Sequence, residues 1–311
     1  MSAPSRENGP TAAAATTLSV VTLNLLHGAP LPGKGKARAS LAARLDIVAA
    51  ELAELSPDVV LLQEASRGSR HDVTAAILAR RLGMDWAYAP ANPARIWGIA
   101  RLAMRIVPSI DFEEGPAILS RLPILDRRVH RLSSRLPTFE DRMAVEAVLG
   151  GPRGPFSVFS VHLSAFSKAG RRRQSSALLR AVESSAHRHP SIVGGDFNAE
   201  EHAPEISMLT RRGWLDAFRA VHPDAAGCTS PQTVDAPTGT ARRRIDFLFA
   251  VPDDGARWRA HDARLVLDRA APAGDGGALW ASDHYGVLAR LTLERRPRDG
   301  AVRSTPAAGG A

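Results

Sequence analysis

The stretch "IVGGDFNAEE", Ile192–Glu201, runs from apolar residues and glycines into an acid, an amide and two further acids. A short apolar run of this kind makes a buried strand. Asp196 and Asn198, two apart on an extended segment, then project to the same side. Gly194 and Gly195 lack a Cβ and are expected to let the backbone approach a substrate. Taken alone, the stretch is a strand end with a helix cap or an Asx turn. A turn of that kind needs only glycine, so the acid and the amide call for a further reason.

Working outward, the same arrangement recurs. Asn24 ends "VVTLN", Glu64 ends "VVLLQE" and His162 ends "VFSVH", while Asp246 sits in "RIDFLF" and Asp283 and His284 open "SDHYGVLARL". One acid at a strand end is usually a cap. Six such places in one chain are not, because caps draw on Ser, Thr, Asp and Asn interchangeably and have no use for Glu after a Val and Leu run. Carboxylates and amides are ligands for hard divalent cations, and imidazole exchanges protons near neutrality.

Strand and helix patterns alternate around these residues. "LSVVTLNLL" is β-rich, whereas Leu41, Leu45, Val48, Leu52 and Leu55 make one apolar helical face. "PDVVLLQE" is a strand buried on both faces, followed by a helix from about His71 to Leu82 and the strand "MDWAYAP". "GPAILS", "ILDRRVHRL", "RMAVEAVL" and "PFSVFSVHLS" form a run of four strands, and "AGRRRQSSALLRAVESSAHRH" is a helix. After "PSIVGGDFN" come the strands "RRRIDFLFA", "DARLVL" and "HYGVLARLTL", with "DAPTGTARRR" as a long loop between elements. The middle of the chain lacks crossover helices, and no GxGxxG follows the first strand, which argues against a doubly wound sheet. The expectation is an α+β fold, a four-layer αββα sandwich of two mostly antiparallel mixed sheets packed face to face with helices outside. One catalytic domain is expected over 17–294, between disordered tails at 1–16 and 295–311.

The 311 residues include 40 Lys and Arg against 32 Asp and Glu, a net charge of +8 carried mostly by arginine, which pairs bidentately with phosphate. The single cysteine, Cys228, excludes an intrachain disulfide framework. With no signal-like N-terminus and no run of ~20 apolar residues, the expectation is a soluble cytoplasmic protein.

The ordered set "TLNLLHG", "LLQE", "GPAILSRLPI", "SVHLS", "GGDFNA", "RRRIDFLF" and "SDHYGVLA", spanning about Leu18 to Leu293, resembles the endonuclease/exonuclease/phosphatase superfamily. Its members include pancreatic-type deoxyribonuclease, exonuclease III-like repair enzymes, neutral sphingomyelinases and inositol polyphosphate 5-phosphatases. The resemblance implies Mg²⁺, with Mn²⁺ as a substitute, held by Glu64 with Asn24 beside it and Asp283 binding or positioning metal. It implies that His284 and Asp246 form an acid-base or charge-stabilising pair. Asp196 would orient or deprotonate the attacking water, Asn198 would donate to a phosphate oxygen, and His162 would be a phosphate contact or leaving-group acid. Three features separate the chain from the abasic-site repair branch and place it nearer the deoxyribonuclease, sphingomyelinase and phosphatase branches. His162 stands near that branch's tyrosine, Leu26 stands where its carboxylate would be, and "QEAS" lacks its lysine.

Glu114 and Arg142 are further candidates on equal terms with surface charge, and the arginines of "RRRQ", Arg171–Gln174, fit a solvated helix face. The implied activity is metal-dependent hydrolysis of a phosphodiester, with nucleic acid as one candidate partner. The alternative is a lipid or small-molecule phosphoesterase at a membrane surface, for which "ARIWGIARLAMRIVP", Ala94–Pro108, offers a helical anchor or a lid. A degenerate binding module would have lost a central residue, and none of the eight is missing.

Overall fold

A computed structural model describes residues 17–26, 41–68, 72–91, 112–133, 141–186, 188–253, 255–273 and 276–295. In chain order the strands are β1 (Thr17–Asn24), β2 (Val59–Gly68), β3 (Asp85–Tyr88), β4 (Phe112–Ser120), β5 (Ile124–Arg131), β6 (Met143–Gly151), β7 (Gly154–His162), β8 (Ser191–Asp196), β9 (Leu215–Asp216), β10 (Asp246–Val251), β11 (Ala256–Val266), β12 (Ala271–Pro272), β13 (Ala278–Leu279) and β14 (Gly286–Arg295). The helices are α1 (Leu41–Leu55), α2 (Thr74–Leu82), α3 (Lys168–Ala186), α4 (Pro204–Thr210) and α5 (Ala217–Val221).

Two six-stranded sheets result, in the orders β11-β14-β1-β2-β4-β3 and β5-β6-β7-β8-β10-β9. In each, one pair is parallel, β1 with β2 and β7 with β8, and the other described pairings are antiparallel. Parallel neighbours need a crossover, and α1 and α3 supply it.

The apolar run of β2 shows why the layers form. Val59 and Leu61 face the other sheet, where Val145, Val158, Ile192 and Leu248 meet them, whereas Val60 and Leu62 face α1 and α2 through Leu45, Val48, Leu52 and Leu78. On the far side, Leu178 and Val182 of α3 and Ile206 and Leu209 of α4 cover Phe159, Val193 and Phe249. Each such buried side chain contributes about 1.5–3 kcal/mol. The expected αββα sandwich is therefore present.

Several boundaries differ from the expectation: β4 starts at Phe112, ahead of "GPAILS", and α2 starts at Thr74 rather than near His71. β2 does not end at Glu64 but runs to Gly68, because the register against β4 shifts between Leu62 and Ala65 and the extra residue is taken up as a bulge. β11 starts at Ala256, before "DARLVL", pairing along β14 with an irregularity between Ala260 and Asp262. The Ala94–Pro108 segment, residues 1–16 and residues beyond Arg295 lie outside the described residues. Among the described residues no helix is long and apolar enough to cross a membrane.

Candidate active site

Strand register places the first residues together. Asp196, the last residue of β8, stands opposite His162 of β7 on one side and Asp246 of β10 on the other. The ring of Phe197, edge-on to Phe247 and Phe249 at 5.6 and 5.3 Å, fixes the turn after β8 against β10. The sheets are tied at this edge by Ser160 Oγ donating to the carbonyl of Leu62 at 2.7 Å and Gln63 Nε2 donating to Ser160 Oγ at 3.1 Å.

Asp196, Asp246 and His284 are all buried, and a ligand atom from each lies within 4.8 Å of the others. His284 Nδ1 bonds Asp246 Oδ2 at 2.9 Å, and its Nε2 lies 3.3 Å from Ser230 Oγ and 3.8 Å from Asp196 Oδ2. Burial pulls the imidazole pKa down, but the charges of Asp246 and Asp196 outweigh it and raise it to about 10. Burial, reinforced by the charge of Asp246, raises Asp196 to about 7. When protonated, a ring so flanked donates from both nitrogens and offers no lone pair to a metal. Asp246 Oδ1 is buried without a hydrogen-bond partner among the described residues.

His162 is set differently. Its Nδ1 lies 3.0 Å from Arg142 Nη1, and its Nε2 lies 3.1 Å from Asn198 Nδ2 and 3.5 Å from Asp196 Oδ2. An arginine N–H only donates, and Asn198 Nδ2 is fixed as a donor by its bond to the carbonyl of Leu163 at 3.0 Å. Two donors thus meet a ring that has one lone pair when neutral. Asn198 itself sits at φ 49°, where an amide is tolerated, with its N–H on Asp196 Oδ1 at 2.8 Å.

On the first sheet, the bulge in β2 puts Glu64 at φ 53° and leaves it half-buried. Asn24 Nδ2 donates to Glu64 Oε1 at 3.1 Å and to Asp196 Oδ2 at 3.2 Å, while its Oδ1 accepts from the N–H of Leu26 at 3.0 Å. Asn24 thereby bridges the acids of the two sheets with its nitrogen. Its oxygen, which a cation would need, faces the backbone of Leu26. Leu26, at φ 48°, is buried against Val234. Beneath them, buried Arg44 donates to the carbonyls of Leu25, Leu26 and Ala281 at 2.9, 2.8 and 3.3 Å. Burial lowers its pKa to about 10, against the opposing charges of Asp283 and Glu64. Glu64, Glu114, Arg142 and His162 line one cleft.

A family model described as the Endonuclease/Exonuclease/phosphatase family matches residues 21–284. The chain belongs to the endonuclease/exonuclease/phosphatase family. Solved structures of similar fold include a mannosyl-6-phosphatase from Bacteroides thetaiotaomicron VPI-5482, at 18% identity and TM-score 0.66 over 88% of this chain and 99% of that one. The human Nocturnin catalytic domain with bound sulfate anion aligns at 20% identity and TM-score 0.63, over 89% and 94% of the two chains. A humanized TDP2 of D. rerio aligns at 16% and 0.64, over 88% and 98%. At these identities the likeness is one of fold. No curated protein sequence matches the chain.

The endonuclease/exonuclease/phosphatase family comprises phosphoesterases and nucleases that typically use a divalent metal. Fitted to that requirement, the half-buried carboxylate of Glu64 and the carboxylate of Asp283, both near enough to act on the Arg44 charge, offer hard oxygen ligands. The eight residues singled out by motif all lie around this one edge, with Arg142 and Glu114 on the cleft wall. The glycines serve another purpose than the one expected. A Cβ on Gly195 would lie 1.9 Å from the carbonyl oxygen of Val161, and one on Gly194 would meet Leu248 and Leu61 at 2.6 and 2.7 Å. Glycine there admits the neighbouring strand and sheet rather than a substrate.

Motif reading in the endonuclease/exonuclease/phosphatase family passes over the supports. Thr229 Oγ1 accepts the N–H groups of Ile245 and Asp246 at 3.3 Å each, and the loop's Gln232 receives Tyr285 OH at 2.9 Å. The acids that close the opening stretch pair with the arginines that precede Asp246. Glu200 meets Arg243 at 2.7 Å, and Glu201 meets Arg244 at 2.9 Å and Arg219 at 2.6 Å. Arg219 and then Arg244 hold Glu201 down at a pKa of about 2. The opposite charges of "NAEE" and "RRRID" were a signal available in the sequence.

Proposed function

We propose that the chain is a divalent-metal-dependent phosphodiesterase of the nuclease type, working with Mg²⁺ or, in its place, Mn²⁺. The observation behind the reading is the meeting, at one edge of both sheets, of Glu64, Asp196, Asp246 and His284, with Asn24 bridging Glu64 and Asp196. Hydrolysis needs the charge on the phosphate neutralised, a water aligned with the leaving oxygen and that oxygen stabilised. A bound cation would neutralise charge on the phosphate, with Glu64 and Asp283 holding it and Asn24 fixing Glu64. Arg142, braced by His162, and Asn198 donate to phosphate oxygens. Asp196, with its raised pKa, takes a proton from the attacking water. His284, kept positive by Asp246, stabilises the charge that develops.

The test is hydrolysis of bis-p-nitrophenyl phosphate with Mg²⁺, with Mn²⁺ and with EDTA. Activity is expected only with metal, and His284→Ala is expected to lower kcat by about 10²–10⁴-fold. Equal, metal-independent rates for wild type and variant would sink the reading.

A further inference from the structure

Among the described residues Phe166 is the most exposed large apolar side chain, at 89%. It stands in the turn between β7 and α3, four residues after His162, and four residues span at most about 14 Å. Its backbone therefore lies within about 14 Å of that of His162.

The turn is pinned on both sides of the ring. The N–H of Ser164 donates to Gln174 Oε1 at 2.8 Å, that of Ser167 to Ser164 Oγ at 3.2 Å, and that of Gly170 to Ser167 Oγ at 2.9 Å. Arg171 Nη1 donates to the carbonyls of Ser164 and Ala165 at 2.9 and 3.3 Å. A ring presented by an ordered backbone keeps its exposure without the freedom of a loose loop. Lys168, Arg172 and Arg173 follow it, all exposed, and no acid occurs between Leu163 and Val182. Arg171 is excluded from that set, being buried and 3.8 Å from Glu205.

We infer that Phe166 with Lys168, Arg172 and Arg173 is a contact for single-stranded nucleic acid. The ring stacks on a base next to the scissile phosphate, and the cations meet the backbone. Stacking is tolerant of sequence and needs one aromatic face, and the positive charge beside it suits a polyanion. Attachment to lipid needs more than one ring, and the other exposed residues of this turn are Ala165, Ser167, Lys168 and Ala169. The inference rests on the phosphodiesterase reading and names its substrate class.

The test uses the full chain and a fluorescein-labelled single-stranded oligothymidylate. In EDTA, fluorescence anisotropy is expected to show Phe166→Ala binding about tenfold more weakly than wild type and Phe166→Trp binding as well. Replacing Lys168, Arg172 and Arg173 together by Ala is expected to flatten the salt dependence of binding. With Mg²⁺, Phe166→Ala loses the same factor in kcat/KM on the oligonucleotide and nothing on bis-p-nitrophenyl phosphate. Equal binding by wild type and Phe166→Ala overturns the inference. So does a Phe166→Ala defect seen only with vesicles of anionic phospholipid. If wild type hydrolyses neither substrate, the phosphodiesterase reading fails, and the binding comparison in EDTA still decides this one.

Discussion

In β1-α1-β2, Arg44 lies three residues into the crossover helix and reaches back to the carbonyls of Leu25 and Leu26, just past the first strand. In β7-α3-β8, Arg171 lies three residues into its helix and reaches back in the same way to Ser164 and Ala165. The two differ in what surrounds the charge. Arg171 is accompanied by Glu205, a residue of α4 that is not among the candidate site residues. Arg44 instead faces Asp283 and Glu64. Clamping the turn is thus common to both units, while only in the first does the guanidinium also lie in the field of candidate site carboxylates. The same division runs through the acids: Glu64 is half-buried and aimed by a bulge, whereas Asp196 and Asp246 are buried and depend on His284.

The comparison can be broken most forcefully at its arginines. Arg44→Leu leaves three buried carbonyls short of a donor and is expected to cost about 3 kcal/mol or more, together with a raised Mg²⁺ requirement. Arg171→Leu is expected to destabilise the fold and leave the Mg²⁺ requirement unchanged. Urea midpoints and Mg²⁺ titrations of the two variants decide it; a metal defect in both would erase the distinction.

A smaller effect separates the two glycines of β8. Gly195→Ala drives a methyl into a backbone carbonyl of β7 and is expected to cost about 3 kcal/mol. Gly194→Ala meets chiefly the ends of two leucine side chains, which can turn aside, with Thr22 Cβ at 3.3 Å, and about 1 kcal/mol is expected. Reversed costs in urea denaturation would show that β7 and β8 are not so closely apposed.

A further effect is a slope in pH. His284 is raised from 6.5 to about 10, so its stabilisation is complete below about pH 6.5 and is lost as pH rises through 10. Asp196, raised from 3.8 to about 7, acts in the same direction at lower pH. In EDTA the wild-type unfolding free energy from urea denaturation is therefore expected to fall between pH 6.5 and 10, by at most about 1.4 kcal/mol per unit, and that of His284→Gln to fall less. Parallel curves would mean that the imidazolium is not there.

Much of this was legible in the sequence, for definite reasons. Apolar runs such as "DVVLL" must be covered on both faces, which requires layers on both sides of a sheet. The polar residues at strand ends had no capping use that explained their identity. Other features depend on distant parts of the chain. Nothing local marks the bulge at Glu64, because it arises from register against β4. Gly194 and Gly195 were misjudged because the strand and sheet they admit are remote in sequence. Arg44 left a trace: with Val48 and Leu52 it falls at i, i+4 and i+8, so a cation lay on a face that was otherwise apolar.

The central claim is that Glu64, with Asp283, holds the cation, while Asp196 and the His284–Asp246 pair manage charge at the reacting water. The most direct test is a Mg²⁺ titration of bis-p-nitrophenyl phosphate hydrolysis by Glu64→Gln and Asp246→Asn beside wild type. Glu64→Gln is predicted to shift the half-saturating Mg²⁺ upward by about 10–100-fold, and Asp246→Asn to lower the plateau while leaving half-saturation in place. A lowered plateau without a shift in Glu64→Gln, with a shifted requirement in Asp246→Asn, would contradict the account.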